Sequence, residues 1–208
     1  MGQDKIAQAR ATLARIGSAL NGRNAPGRGL PPLLLLTDDQ RDADWLEAVC
    51  ALPAGSAVVI RHRNPVARER LARLLLEAAR RNGSRCLIAG DVALAEHLAG
   101  DGVHAAESEL GRIAAWRRTH PRWLITGSIH GAEAMTKAQA ADALLLAPVF
   151  PTSSHPRAKT LGVTMFDEIA TRSPVPVYAL GGIAADNAEQ LAPSRAAGIA
   201  LIGGWLRS

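Results

Sequence analysis

Short, wholly apolar runs alternate along this chain with longer stretches whose apolar positions recur every three or four residues. The runs are PLLLLTD (32–38), AVVIRHR (57–63), RCLIAG (85–90), GVHAA (102–106), WLITGSI (123–129), ALLLAPV (143–149), VPVYALGG (175–182) and IALIGG (199–204). Each has the length of a β-strand, and apolar character on both sides marks a strand buried on both faces, as in parallel sheets. The clearest helical stretch is 65–82, where Leu71, Leu74, Leu75, Ala78 and Ala79 fall at i, i+3, i+4, i+7 and i+8. Asn64-Pro65 supplies its N-cap and first-turn proline. Eight strand–helix units predict an α/β fold, a closed (β/α)8 TIM barrel in a single domain. An open doubly wound sheet is the alternative, but the first run leads into Thr37-Asp38-Asp39 and not into a glycine-rich dinucleotide turn.

Residues 1–30 stand apart as an N-terminal extra helix and linker, with the barrel spanning 31–208. Ile6, Leu13, Ile16 and Leu20 give residues 4–20 one apolar face, and the Gly/Pro-rich NGRNAPGRGLPP follows. The chain ends too soon after the last strand for a full eighth helix, so the N-terminal helix is expected to fill that gap.

Composition adds limits. The chain has 208 residues, 48% apolar and 21% charged, with aromatics at only 3%, so aliphatic side chains and alanine must fill the core. The net charge of +5 is spread over helices without interleaved aromatics, which favours a solvated basic surface around an anion-binding site over a nucleic-acid interface. Cys50 and Cys86 lie in no metal-ligand spacing and read as buried free thiols. With no long apolar span and no leader-like block, the expectation is a cytoplasmic protein that binds neither membrane nor nucleic acid.

In such a barrel, chemistry collects where strands end. The seventh run ends in Gly181-Gly182 and the eighth in Gly203-Gly204; exposed amides there suit a phosphate cradle, while tight turns alone are the plainer reading. Arg61 and Arg63 fall on one side of their strand, as a second anion site or a solvated strand end. Ser128 and His130 end the fifth run, and His130 is the candidate for proton transfer, with a structural histidine as the alternative. The loop from 150 to 161 offers Thr152, Ser154 and His155 as substrate-binding groups.

Taken in order, TDD (37–39), Asp101-Gly102-Val103-His104, the GSIH ending at His130, PVFPT (148–152) and GGI (181–183) followed by Asn187 resemble the thiamine phosphate synthase/TenI family. The resemblance implies a thiamine-biosynthesis enzyme that binds a phosphorylated thiazole, with Gly182 and Gly203 at its phosphate, and leaves a homodimer open. Synthase members join an aminopyrimidine pyrophosphate to a thiazole phosphate with Mg²⁺; TenI-like members isomerise the thiazole phosphate through a histidine, with no cofactor. The synthase pattern departs here. Val59 stands where a glutamine is usual, Arg63 where a lysine is usual, and Ala89-Gly90 where an Asn-Asp pair is usual; the second metal aspartate falls on Glu109. Asp91 and Glu109 are the metal candidates in a synthase. These departures favour tautomerase chemistry with His130 as acid/base. Alternatives are a divergent synthase and a non-catalytic phosphate-ligand-binding barrel.

Overall fold

The computed structural model describes residues 2–152 and 159–206. Eight parallel strands close into a barrel in sequence order: β1 Leu33–Leu36, β2 Ala57–Ile60, β3 Arg85–Ala89, β4 Gly102–Ala105, β5 Leu124–Ile129, β6 Ala143–Leu146, β7 Val177–Leu180 and β8 Ile199–Leu201. β1 pairs with β2 on one side and β8 on the other, which closes the ring. The open doubly wound sheet is thereby excluded.

Alternation along each strand divides the core in two. Leu34, Val59, Leu87, Leu124, Leu145 and Tyr178 fill the barrel interior. Leu35, Val58, Ile88, Val103, Ile125 and Leu144 face outward and meet the helices. This parity extends to the strand ends: Arg61, His104, Thr126 and Ser128 share the inward set with Val59 and Leu124.

The outer ring is made of α1 Gly2–Asn24, α2 Trp45–Cys50, α3 Pro65–Arg81, α4 Val92–His97, α5 Ile113–Thr119 and α6 Gly162–Arg172, with 3-10 turns at Glu107–Arg112, Ala132–Ala138 and Ala188–Leu191. The Asn64 side chain caps α3 by accepting the Ala67 N–H at 3.0 Å, and Pro65 opens the helix. The face of α3 that packs on the barrel is Ala72, Leu75, Leu76 and Ala79; Leu74, expected in the stripe, is 48% exposed. One helical step rotates the buried arc away from it.

α1 runs four residues past the expected end and packs on β1 and β8 through Leu13, Ile16 and Leu20. Gly17 permits this approach, since a Cβ there would lie 2.8 Å from the Leu33 side chain. The segment that follows is no free linker. Ala25 and Leu30 join the interior cluster, Tyr178 donates its hydroxyl to the Pro31 carbonyl at 2.5 Å, and Arg85 donates to the Gly29 carbonyl at 2.5 Å. Residues 25–31 therefore cover the N-terminal end of the barrel, leaving the opposite end for ligands. Cys86 is buried, and burial pushes its thiol up to about 12. Cys50 is exposed, against the expectation, because it ends α2 on the solvent side. Among the described residues no helix is long and apolar enough to cross a membrane.

Candidate functional site

The C-terminal mouth holds a cavity of ≈ 330 Å³ bounded by Thr152, Gly181, Gly182, Gly203, Gly204 and Arg41. The turns after β7 and β8 converge there. Gly181 and Gly182 adopt φ of +95° and +69°, which a side chain disfavours. Their missing Cβ atoms also face protein: one at Gly182 would lie 2.4 Å from the Pro151 carbonyl oxygen, and one at Gly204 only 2.0 Å from that of Ile183. These glycines thus let three backbone segments close on one another. Asn187 fixes the first turn by donating to the Gly182 carbonyl at 2.8 Å and accepting the Ala184 N–H at 2.9 Å. Among the described residues, no hydrogen bond uses the N–H of Gly182, Gly203 or Gly204, so the cradle presents bare amide donors, the arrangement that suits an oxyanion.

Next to this cradle the TDD motif organises three arginines. Thr37 stitches β1 to β2: its hydroxyl donates to the Arg61 carbonyl at 2.9 Å and accepts the Arg61 N–H at 2.8 Å, while its carbonyl accepts Arg61 Nε at 3.1 Å. Asp38 accepts Arg41 Nε at 3.1 Å. Asp39 accepts the Arg63 N–H at 3.1 Å, and that bond leads the causes that lower its carboxyl below the usual range. Arg61 lies half-buried in the mouth. Burial pulls its pKa down, and the Asp38 and Asp39 carboxylates oppose the shift. Arg63 stays at the rim and is exposed; the structure brings Arg61 into the mouth and leaves Arg63 beside it.

Across the mouth, β4 and β5 carry a neutral wall. Register places His104 opposite Thr126. His104 Nδ1 lies 2.8 Å from Thr126 Oγ1 and Nε2 lies 2.9 Å from Ser128 Oγ. Burial, with Arg61 adding to it, pushes the imidazole down to about 3. At neutral pH it is uncharged, so one ring nitrogen donates and the other accepts. Ser128, expected as a substrate contact, is therefore also a partner of His104. The sequence singled out His104 only as part of a motif. The signal that could have found its role is the inward-facing Thr126 and Ser128, 22 and 24 residues later and one strand along.

His130 stands at the rim, its side chain 65% exposed. Glu107 Oε2 lies 2.7 Å from its Nδ1 and accepts its backbone N–H at 2.7 Å. That contact orients the ring with Nε2 directed away from the carboxylate. Thr152 lines the cavity; Ser154 and His155, with Arg157, lie outside the described residues.

The donors present do not fit Mg²⁺. The two positions that the resemblance assigns to metal carboxylates do adjoin, since a Cβ on Gly90 would lie 3.1 Å from Glu109 Oε2. Glycine, however, offers no ligand. Glu109 instead accepts the Ala106 N–H at 3.1 Å and pairs with Arg112 at 3.1 Å. Asp91 caps α4 through the Leu94 N–H at 3.0 Å and pairs with Arg68 at 2.5 Å. A cation that demands an octahedral set of hard oxygens finds in Glu109 and Asp91 two carboxylates that are already engaged.

A wider depression of ≈ 670 Å³ lies between α1 and α2 and shares Arg41 with the cradle. Its Arg10 is committed to Glu47 at 2.5 Å and to the Trp205 carbonyl at 3.0 Å, and no glycine turns converge on it. The smaller cavity is the better candidate.

Comparison with known proteins agrees with this geometry. The family model described as thiamine monophosphate synthase matches residues 33–204. A thiamine-phosphate synthase of Methylobacillus flagellatus is 32% identical over 84% of this chain and 88% of its own. A putative thiamine-phosphate synthase 2 of Aquifex aeolicus is 36% identical over 56% of this chain and 62% of that protein, so this match spans less than two thirds of that relative. Among solved structures, a thiamine phosphate pyrophosphorylase from Pyrococcus furiosus superposes with a TM-score of 0.70 at 25% identity, covering 85% of this chain and 87% of that one. The names of these relatives favour the condensing reading, held above as the alternative, over the tautomerase reading. On the span of the match and the architecture of the mouth, the chain belongs to the thiamine monophosphate synthase family of thiamine biosynthesis.

Proposed function

We propose that this chain binds a thiazole phosphate in the cradle after β7 and β8 and condenses it with an aminopyrimidine pyrophosphate. The observation that carries this reading is the presence of two separate anion zones. One is the amide cradle; the other is the arginine pair just after β2, with β1 between them. A one-substrate isomerisation of a single phosphate ester needs only the first. A condensation of two phosphorylated partners uses both. The thiazole nitrogen bonds to the methylene carbon carried by the pyrimidine as that carbon's bond to the pyrophosphate oxygen breaks, and the departing charge is met by the guanidiniums of Arg61 and Arg63. Arginine suits this task because its forked donors match phosphate oxygens and its charge persists at any working pH. His104, Thr126 and Ser128 contribute a neutral polar wall that orients the rings.

The test is incubation of the purified protein with both substrates, with Mg²⁺ and again with a chelator, while pyrophosphate is measured. Stoichiometric release in step with product formation is expected. Absence of release under both conditions would remove the condensing reading.

One observation favours a second reading. The His130–Glu107 pair places an oriented imidazole at the rim, the group a tautomerase needs; such a residue is typically worth about 10²–10⁴-fold in rate. In that case His130→Ala abolishes isomerisation of thiazole phosphate and leaves its binding intact. Unchanged isomerisation in the variant excludes this role.

A further inference from the structure

Where the resemblance puts a metal site, the side chains leave no carboxylate oxygen to spare. The ladder between β2 and β3 pairs Ile60 with Ile88, so its next step sets Arg61 beside Ala89 and Gly90. Alanine and a glycine at φ +67° stand there in place of an Asn-Asp pair, and neither has a side-chain ligand. The two acids that remain are fully engaged. Asp91 Oδ1 accepts the Leu94 N–H at 3.0 Å and its Oδ2 accepts Arg68 Nη2 at 2.5 Å. Glu109 Oε2 accepts the Ala106 N–H at 3.1 Å and its Oε1 accepts Arg112 Nη1 at 3.1 Å. Arg112 in turn lies over the Trp116 ring, 5.1 Å from its centroid. Each acid is thus paired with a guanidinium already. Among the described residues, no three His, Cys, Asp or Glu side chains stand together as a metal ion requires.

We infer that this chain handles the pyrophosphate group without a divalent cation, with Arg61 and Arg63 supplying the positive charge directly. This rests on the condensing reading proposed above. Mg²⁺ that arrives with a phosphorylated substrate is usually held by one or two protein carboxylates as well. To reach Asp91 or Glu109 it would have to approach a guanidinium of like charge and displace a hydrogen-bond donor. Arg61 is placed differently. It spends Nε on the Thr37 carbonyl at 3.1 Å, and among the described residues its Nη1 and Nη2 make no hydrogen bond. Arg63 is held by its backbone N–H alone, on Asp39, and its side chain stays at the rim. In the transfer, the electron pair of the thiazole nitrogen makes the new bond to carbon, and the pair of the broken carbon–oxygen bond leaves on pyrophosphate. No proton and no oxidant enters. The only demand is that the departing oxygens meet positive charge, which forked guanidiniums supply bidentately.

The experiment uses the full chain, stripped of metal, in chelator-treated buffer with and without added Mg²⁺. Condensation is followed by pyrophosphate release, and binding of inorganic pyrophosphate by calorimetry. Rates in the two buffers are expected to agree within about twofold, and pyrophosphate is expected to bind without metal. Arg61→Gln should weaken that metal-free binding by about 10- to 100-fold, the range of a charge-assisted contact. Glu109→Gln and Asp91→Asn keep an acceptor for the N–H groups that these acids cap, and should leave kcat/KM in Mg²⁺ within about twofold of the parent. A rate that collapses on metal removal and returns with Mg²⁺ overturns the inference and leaves the condensing reading standing. A loss of about tenfold or more in either acid variant, with Mg²⁺ present, does the same. Absence of condensation in both buffers removes the condensing reading, and calorimetry then decides the rest. Pyrophosphate that binds only with Mg²⁺, or not at all, or equally well to Arg61→Gln, overturns the inference. Far-UV circular dichroism of each variant confirms that the barrel is intact.

Discussion

His104 offers a direct thermodynamic measurement of the mouth's electrostatics. Its imidazole is 3% exposed, and burial with Arg61 pushes it down to about 3. In the unfolded chain a histidine titrates near 6.5. Between these values the unfolded state binds a proton that the folded state refuses, so stability from this group is complete above pH 6.5 and is lost as pH falls toward 3. At pH 5.0 the loss is RT ln(1 + 10^1.5), roughly 2 kcal/mol, and this hardly depends on the folded value so long as that lies well below 5. Other carboxylates and histidines titrate as well, so the quantity to read is a difference. Urea unfolding is followed at pH 7.5 and 5.0 for the parent and for His104→Gln, which keeps one donor and one acceptor for Thr126 and Ser128. The parent should lose about 2 kcal/mol more than the variant over that interval. Equal losses would mean that His104 takes up a proton in the folded chain near pH 6, and the neutral wall on β4 and β5 would have to be given up.

Three further outcomes follow from the packing. Arg61→Gln is expected to raise KM for the pyrophosphate-bearing substrate about 10- to 100-fold while thiazole phosphate binds as before, as read by steady-state kinetics and calorimetry; an equal loss for both substrates would merge the two anion zones into one. Gly182→Ala forces a Cβ within 2.5 Å of two carbonyl oxygens at φ +69°, and is expected to cost about 2–4 kcal/mol in urea unfolding, through strain and overpacking together; a cost below about 0.5 kcal/mol would show that the 148–151 segment moves aside easily. Leu13→Ala removes a fully buried side chain from the α1 contact with the barrel and is expected to cost about 2–5 kcal/mol; a near-neutral effect would show that α1 is not part of the cooperative fold.

The eight strands were legible because burial on both faces leaves an unbroken apolar run, which few other elements produce in so few residues. The apolar runs extend beyond the ladders because strand-end residues such as Arg61 continue the inward parity of Ala57 and Val59 while leaving the sheet. That overshoot is where the candidate site sits. The connections were less legible. Glu107–Arg112, Ala132–Ala138 and Ala188–Leu191 are 3-10 turns, too short and too rich in alanine to show a 3.6-residue period. The glycines after β7 and β8 could be located from sequence, but not the reasons for them, since three answer to backbone and one to the Arg41 side chain. Nor could sequence show that Glu109 and Asp91 are spent on helix caps and arginine pairs. Those roles depend on neighbours fixed by the barrel's closure.

The charges of the mouth follow from its circular order. β8, β1 and β2 are neighbours, so Arg41 and Arg61 crowd one sector, and Asp38 and Asp39 between them keep that crowding tolerable. Lysines there would lose protons under such crowding, whereas arginines do not. Arg61 helps to hold the buried His104 uncharged, and a neutral His104 removes a like charge that would otherwise oppose it. The cation set proposed to meet a phosphate is therefore fixed across the neutral range. Affinity for a phosphate monoester should accordingly level off above the ester's own second ionisation, near pH 6, and stay flat to about pH 9. Calorimetric titrations of the parent chain with thiazole phosphate at half-unit steps of pH would read this plateau. A second inflection between 7 and 9 would reveal a titrating protein group at the anion, and the assignment of binding to arginines and amides alone would fail.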